Sequence, residues 1–182
     1  MEVPGGRDLV PKLKKLISAC RKKGLMVIFT THVFRENGCD LGLSSVFRPE
    51  VKRTNILREG TAEVEFYSGI RPQKNDAVIV KRRFSAFSGT DLEIILRSNR
   101  IDTLIIGGVA GNVCCECTAR DARMKDYKVV FLSDGTTAGR LPDMGWGEVR
   151  AEEVQKNVLT TMACYFAQVW SIEETIDRLI KI

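Results

Sequence analysis

Four runs of branched and aliphatic residues constrain this chain more than anything else in it: LMVIFTT (25–31), AVIVK (77–81), DTLIIGGV (102–109) and KVVFLSD (128–134). Each is apolar almost throughout rather than alternating, the pattern of a strand covered on both faces. Segments of helical period lie between them. Leu9, Leu13, Leu16, Ile17 and Cys20 recur at helical spacing, with Asp8 placed to cap the start, Pro11 in the first turn and Gly24 at the end. TDLEIILRSN (90–99) opens with Thr90 and Glu93 at capping-box spacing. CCECTARDARMKD (114–126) and EVRAEEVQKNVLTTMACYF (148–166) read as helices, the second with Val149, Val154, Val158, Met162 and Phe166 on one face. AQVWS (167–171) reads as a short last strand, and Ser171 with Glu174 starts a closing helix. This alternation predicts a single three-layer α/β/α domain over residues 1–182 with a mostly parallel sheet. The stretch 35–74 is the exception, a long connection rich in Gly, Arg and Glu in which GTAEVEF (60–66) predicts a short helix.

Composition narrows the function classes. No run of about 20 apolar residues exists, so no membrane partner is expected. MEVPGGRDLVPK carries no apolar leader core, so no secretory signal is expected. Three of the six cysteines crowd one segment, which suits free thiols in a cytoplasmic protein better than a disulfide scaffold. The net charge of +5 is spread along helix faces, as in KLKKLISACRKKG, with KRRF (81–84) the densest run elsewhere. Without a basic stripe or interleaved aromatics, no nucleic-acid partner is expected.

In an open parallel sheet, ligands bind beyond the C-terminal ends of the strands. Lys81, the turn 109–114, the pair Ser133 and Asp134, and His32 all fall there. Lys81 closes an apolar strand, where a lysine costs desolvation unless it is paired or used; a snorkelling lysine is the plainer alternative. Cys114 falls at the first turn of a predicted helix, where the backbone stabilises a thiolate and its free N–H groups can hold an oxyanion. A small buried helix residue is the plainer reading there. Cys115 is rotated about 100° away, and it and Cys117 read as packing residues. Cys114 and Cys117 also form C-x-x-C, which keeps a redox reading open, whereas zinc would need ligands beyond His32 and isolated cysteines. GGVAGN lacks both common phosphate-loop patterns.

GVAGNVCCECTARDA resembles the nucleophile signature of the isochorismatase-like cysteine hydrolases, G-V-A-T-N-V-C-V-E-S-T-A-R-D-A. VKRRFSAFSGTDLEIILRSNRIDTLIIGG is similar to the family's lysine-bearing segment with its helix and next strand. VPGGRDLVPKLKKLISACRKKGLMVIFTTH is similar to its first helix and following strand. The likeness covers essentially the whole chain. It implies a six-stranded parallel sheet and a Cys–Asp–Lys triad, with Cys114 as nucleophile and Lys81 as triad lysine. It also implies a cis peptide between Val109 and Ala110, which aims the Ala110 N–H with that of Cys114 at an oxyanion.

Two departures stand out. Gly111 replaces the usual Thr, which removes a hydroxyl and loosens the turn. No residue matches the triad Asp, which in the family ends a strand upstream of VPGG and central to the sheet, between the strands matching 25–31 and 102–108. Three outcomes are expected from that: a recorded start that is too late, a sheet closed across the gap, or another chain in the gap.

The implied reaction is hydrolysis of a C–N bond in a small amide or carbamoyl compound through an acyl-enzyme. The alternatives are a catalytically impaired or inactive relative with a binding or assembly role, and a C-x-x-C redox protein. THVFRENGCDLG carries one histidine where metal-dependent relatives carry an Asp and paired histidines, so no metal and no cofactor are expected. Phe84, Phe87 and Trp146 are candidates for an apolar pocket wall, or for plain core. A homo-oligomer is expected.

Overall fold

A computed structural model describes residues 3–180. Helix α1 (Leu9–Lys22) turns Leu9 and Leu16 inward and ends before Gly24, whose φ of +70° a side chain would resist. Strand β1 (Ile28–His32) follows, then the short helices α2 (Ser44–Phe47) and α3 (Pro49–Arg53), a 3-10 turn at Ala62–Val64, and β2 (Ala77–Lys81). Helix α4 (Leu92–Ser98) leads to β3 (Thr103–Gly108), a π-helical turn (Gly111–Cys115), α5 (Glu116–Met124) and β4 (Lys128–Thr136). The chain continues through α6 (Ala151–Thr161), a second π-helical turn (Met162–Phe166), β5 (Gln168–Trp170) and α7 (Ile172–Ile180).

The ladders between these strands are all parallel, as expected from their apolar character. Strand β4 shows the three layers most clearly. Val129 and Phe131 join a core with Ala119 and Ala122 of α5 and Val154 and Val158 of α6. Val130 and Leu132 point the other way, against Leu16 of α1 and Ile172 of α7. Successive side chains alternate across the strand, so one apolar run serves both helix layers.

The ladders fall into two sheets, β1–β2 and β3–β4–β5. Among the described residues no strand joins β1 to β3, and the sheet is not closed across that gap. The two halves also differ in cover. On β2, Ile79 is buried while Val78 and Val80 are 43% and 48% exposed. AVIVK is therefore covered on one face only, because the α1–α7 layer packs on β4 and not on β2.

Three expected helix starts are corrected. Asp8 occupies the N-cap position but keeps helical backbone angles and makes no capping bond, since a capping side chain works from an extended residue. Thr90 Oγ1 accepts the Leu92 N–H, but Glu93 is spent on Arg97 and Lys125 instead of reaching back. Helix α6 begins at Ala151, not at 148: Glu153 accepts the Arg150 N–H at 3.1 Å, and Val149 pairs with Leu141 in an antiparallel bridge. The connection 35–74 packs Leu41 and Val51 against Phe34 in a small separate core. The Arg58 guanidinium is buried in it against Gly38, where a Cβ would fall 2.5 Å from Nη1.

Candidate active site

Strands β1 and β2 end in register, His32 opposite Lys81. Strand β3 ends at Gly108, and the Val109–Ala110 peptide that follows is cis. These ends bring two distant segments together: Lys81 Nζ donates to Cys114 Sγ at 3.3 Å and to the Arg83 carbonyl at 3.1 Å. Lys81 is only 2% exposed, and among the described residues no carboxylate bonds its ammonium.

Cys114 stands within the π-helical turn, ahead of α5, and not in the first turn of an α-helix as expected. The Val113 and Cys115 N–H groups both converge on the Ala110 carbonyl at 3.2 Å, and this widens the turn. The Gly111 N–H donates to the Thr137 carbonyl at 2.7 Å. A Cβ on Gly111 would lie 3.1 Å from that carbonyl and 3.2 Å from Gln155 Oε1, so this glycine lets the turn close on the residue after β4 instead of loosening it. The Ala110 N–H makes no hydrogen bond among the described residues, so a donor stays free beside the sulfur's turn.

Thr118 is a positioning residue that sequence reasoning missed. Its hydroxyl donates to the Cys114 carbonyl at 2.7 Å and accepts the Ala86 N–H at 3.0 Å. One side chain thus ties the turn after Lys81 to the turn that carries Cys114. The available signal was its place in ECTARDA, one helical turn after Cys114.

The other candidates scatter. Cys115 packs in the core, and burial pushes its thiol up to about 12, with the neighbouring Cys114 adding to the effect. Burial also raises the Cys117 thiol. All six cysteines are free thiols. Phe87 is committed to the core beside Tyr127, and Trp146 is 91% exposed; neither is brought to the sulfur. Phe84 packs edge-on against His32, ring centroids 5.9 Å apart. His32 is itself held low, at about 4, by burial and then by the charge of Lys81, so its ring is neutral at pH 7. Among the described residues its buried Nε2 has no hydrogen-bond partner. Among the described residues, no three His, Cys, Asp or Glu side chains are grouped to hold a metal ion.

These environments predict an order of reactivity. At pH 7 iodoacetamide is expected to modify Cys114 well before Cys117, and to leave Cys115 untouched until pH approaches 12. Lys81→Met should slow Cys114 modification, because it removes the ammonium that donates to Sγ at 3.3 Å. Mass spectrometry of the modified peptide reads both effects; faster loss of the Cys115 thiol would reverse the order.

Parallel ladders under two helix layers, with a thiol and a buried ammonium in contact at the C-terminal strand ends, define an α/β protein of the open-sheet class with its site where such sheets carry ligands. The chain belongs to the isochorismatase family, whose family profile, the isochorismatase domain, matches residues 1–174. It is 34% identical to an N-carbamoylsarcosine amidase of Arthrobacter sp over 140 residues, 76% of this chain but only 53% of that protein's length. It is 29% identical over 144 residues to a protein of Arabidopsis thaliana named as a probable inactive nicotinamidase, covering 79% of this chain and 74% of that one. The solved structure of a cysteine hydrolase from Pseudomonas syringae pv. phaseolicola 1448A superimposes with a TM-score of 0.95 and 38% identity, over 98% of this chain and 83% of that one.

Proposed function

We propose that this protein hydrolyses a C–N bond in small carbamoyl or carboxamide compounds, with Cys114 as the nucleophile. The observation that carries the reading is the 3.3 Å contact between Cys114 Sγ and the buried ammonium of Lys81. The thiolate attacks the substrate carbonyl, forming a C–S bond. The Ala110 and Cys114 N–H groups take the developing oxyanion. The C–N bond breaks, the nitrogen leaves with a proton as ammonia or an amine, and water then releases the acyl group from sulfur. Lys81 stabilises the thiolate and the negative charge that follows it. The likeness to an N-carbamoylsarcosine amidase supports a carbamoyl or amide substrate.

A second reading, a catalytically impaired relative with a binding role, has one observation in its favour. Among the described residues no carboxylate bonds Lys81 or Cys114, so the proton for the leaving nitrogen has no dedicated carrier. The likeness to a probable inactive nicotinamidase points the same way. The deciding experiment is to incubate the protein with a panel of N-carbamoyl and carboxamide compounds, measuring ammonia and the intact mass of acid-quenched enzyme. Ammonia release with an acyl adduct on Cys114 supports hydrolysis. Binding without either product leaves the second reading.

A further inference from the structure

Cys114 has a second sulfur within its own helical turn. The backbone from Cys114 to Cys117 is helical: Cys115 has φ −67° and ψ −46°, and Glu116 has φ −62° and ψ −48°. The Thr118 hydroxyl reaches back to the Cys114 carbonyl at 2.7 Å, as a threonine one turn further along a helix does. On such a backbone, residues three apart stand side by side, with Cβ atoms about 5–6 Å apart. Cys114 and Cys117 are that pair, and both are partly exposed. Cys115, between them, is turned into the core with Ala119 and Ala122. The other free thiols belong elsewhere: Cys20 to α1, Cys39 to the connection 35–74 and Cys164 to the second π-helical turn.

A disulfide needs Cβ atoms about 3.5–4.5 Å apart, somewhat closer than a helix sets them. The difference falls where the backbone is least regular. The Val113 and Cys115 N–H groups share the Ala110 carbonyl, and α5 begins only at Glu116. A bridge that draws Cys114 toward Cys117 works against this turn, so it stays easy to reduce. It also consumes the sulfur that Lys81 Nζ meets at 3.3 Å. The two thiols are not equivalent. Burial first, and then the neighbouring Cys114, hold the Cys117 thiol above its usual range, so it stays protonated at pH 7 and is slow to meet an oxidant.

We propose that Cys114 and Cys117 form a modification site for hydroperoxides, in which Cys114 is oxidised first and Cys117 closes it as a reversible disulfide. The Cys114 sulfur attacks one peroxide oxygen and the O–O bond breaks. The other oxygen leaves with the thiol proton as water, and Cys114 becomes a sulfenic acid. The Cys117 sulfur then attacks the Cys114 sulfur: the S–S bond forms, the S–O bond breaks, and the hydroxyl leaves with the Cys117 proton as water. Two thiols give up two electrons, and hydrogen peroxide becomes two waters. The bridge keeps Cys114 from the irreversible sulfinic acid and stops chemistry there until a dithiol reduces it. The site needs a reactive Cys114 but no hydrolysis, so it goes beyond the proposed function and is read without turnover.

The test treats the native protein with hydrogen peroxide, denatures it and blocks the remaining thiols with iodoacetamide. Tandem mass spectrometry of the tryptic peptide 101–120, which holds all three cysteines, locates the label. Wild type should carry label on Cys115 alone in a peptide short of two hydrogens, and dithiothreitol should restore labelling of Cys114. Cys117→Ser and Cys117→Ala should label at Cys114 like wild type before peroxide. After it they should form no bridge, carry Cys114 on to sulfinic acid and lose the recovery by dithiothreitol. Ammonia release from carbamoyl compounds is measured alongside; if there is none before peroxide but the bridge forms, the hydrolase reading falls and the modification site stands. Sulfinic acid on Cys114 in wild type as readily as in Cys117→Ser overturns the site. So does a bridge that includes Cys115, or one that persists in Cys117→Ser. A Cys114 that stays reduced while the exposed Cys39 and Cys164 are oxidised overturns it too.

Discussion

Cys114→Ser is expected to lower the release of ammonia from carbamoyl substrates by about 10³- to 10⁶-fold, the range seen when a nucleophile is removed from a working site. A serine hydroxyl ionises far above a thiol, so Lys81, 3.3 Å from the sulfur, has no anion to stabilise. The change should be nearly silent for stability, because Cys114 is only partly buried and the turn around it is held by backbone bonds to Ala110 and Thr137. Two controls separate chemistry from packing. Cys117→Ser should keep most of the activity. Cys115→Ala should lower the melting temperature, since it empties part of a packed core, yet leave turnover per folded molecule largely intact. A Cys114→Ser protein that keeps more than about a tenth of wild-type turnover would remove the cysteine from the mechanism, against the loss stated above.

A carboxylate delivered between the two sheets should act in the opposite direction. Residues 3–6 run past the mouth of the site: the Thr137 hydroxyl donates to the Pro4 carbonyl at 3.2 Å, and a Cβ on Gly6 would lie 3.6 Å from the Val109 side chain. The added segment, branched apolar residues ending in aspartate joined ahead of Val3, is meant to pair with the edges of β1 and β3 that no described strand pairs. General acid–base help of that kind contributes about 10²- to 10⁴-fold, and kcat should rise on that scale as the leaving nitrogen gains its proton donor. The same segment ending in asparagine should raise stability alone, because it pairs the same backbone groups without titrating. Thermal melting and ammonia release distinguish the two effects. Equal rates for the aspartate and asparagine versions would show that proton transfer at this site does not depend on a carboxylate.

What was legible in the sequence is what depends on period and local chemistry. The unbroken apolar runs predicted parallel strands, and β4 bears this out residue by residue, with Val129 and Phe131 on one face and Val130 and Leu132 on the other. The spacing of Leu9 and Leu16 predicted α1, and both are buried. A lysine closing an apolar strand, and a cysteine after a glycine turn, were each visible as costly or poised residues. Other features belong to three dimensions. Lys81 and Cys114 touch, and Thr118 bridges their turns, contacts between segments that no local pattern encodes. Gly111 read as slack, whereas Thr137, just past β4, and Gln155 of α6 close on it. Phe87 and Phe84, three residues apart, look alike in the chain; one is core against Tyr127 and the other lies by His32. Period and composition report how much of a side chain is to be buried. Which neighbour buries it is settled only when separate strands and helices meet, and at this site that decided which cation meets the sulfur.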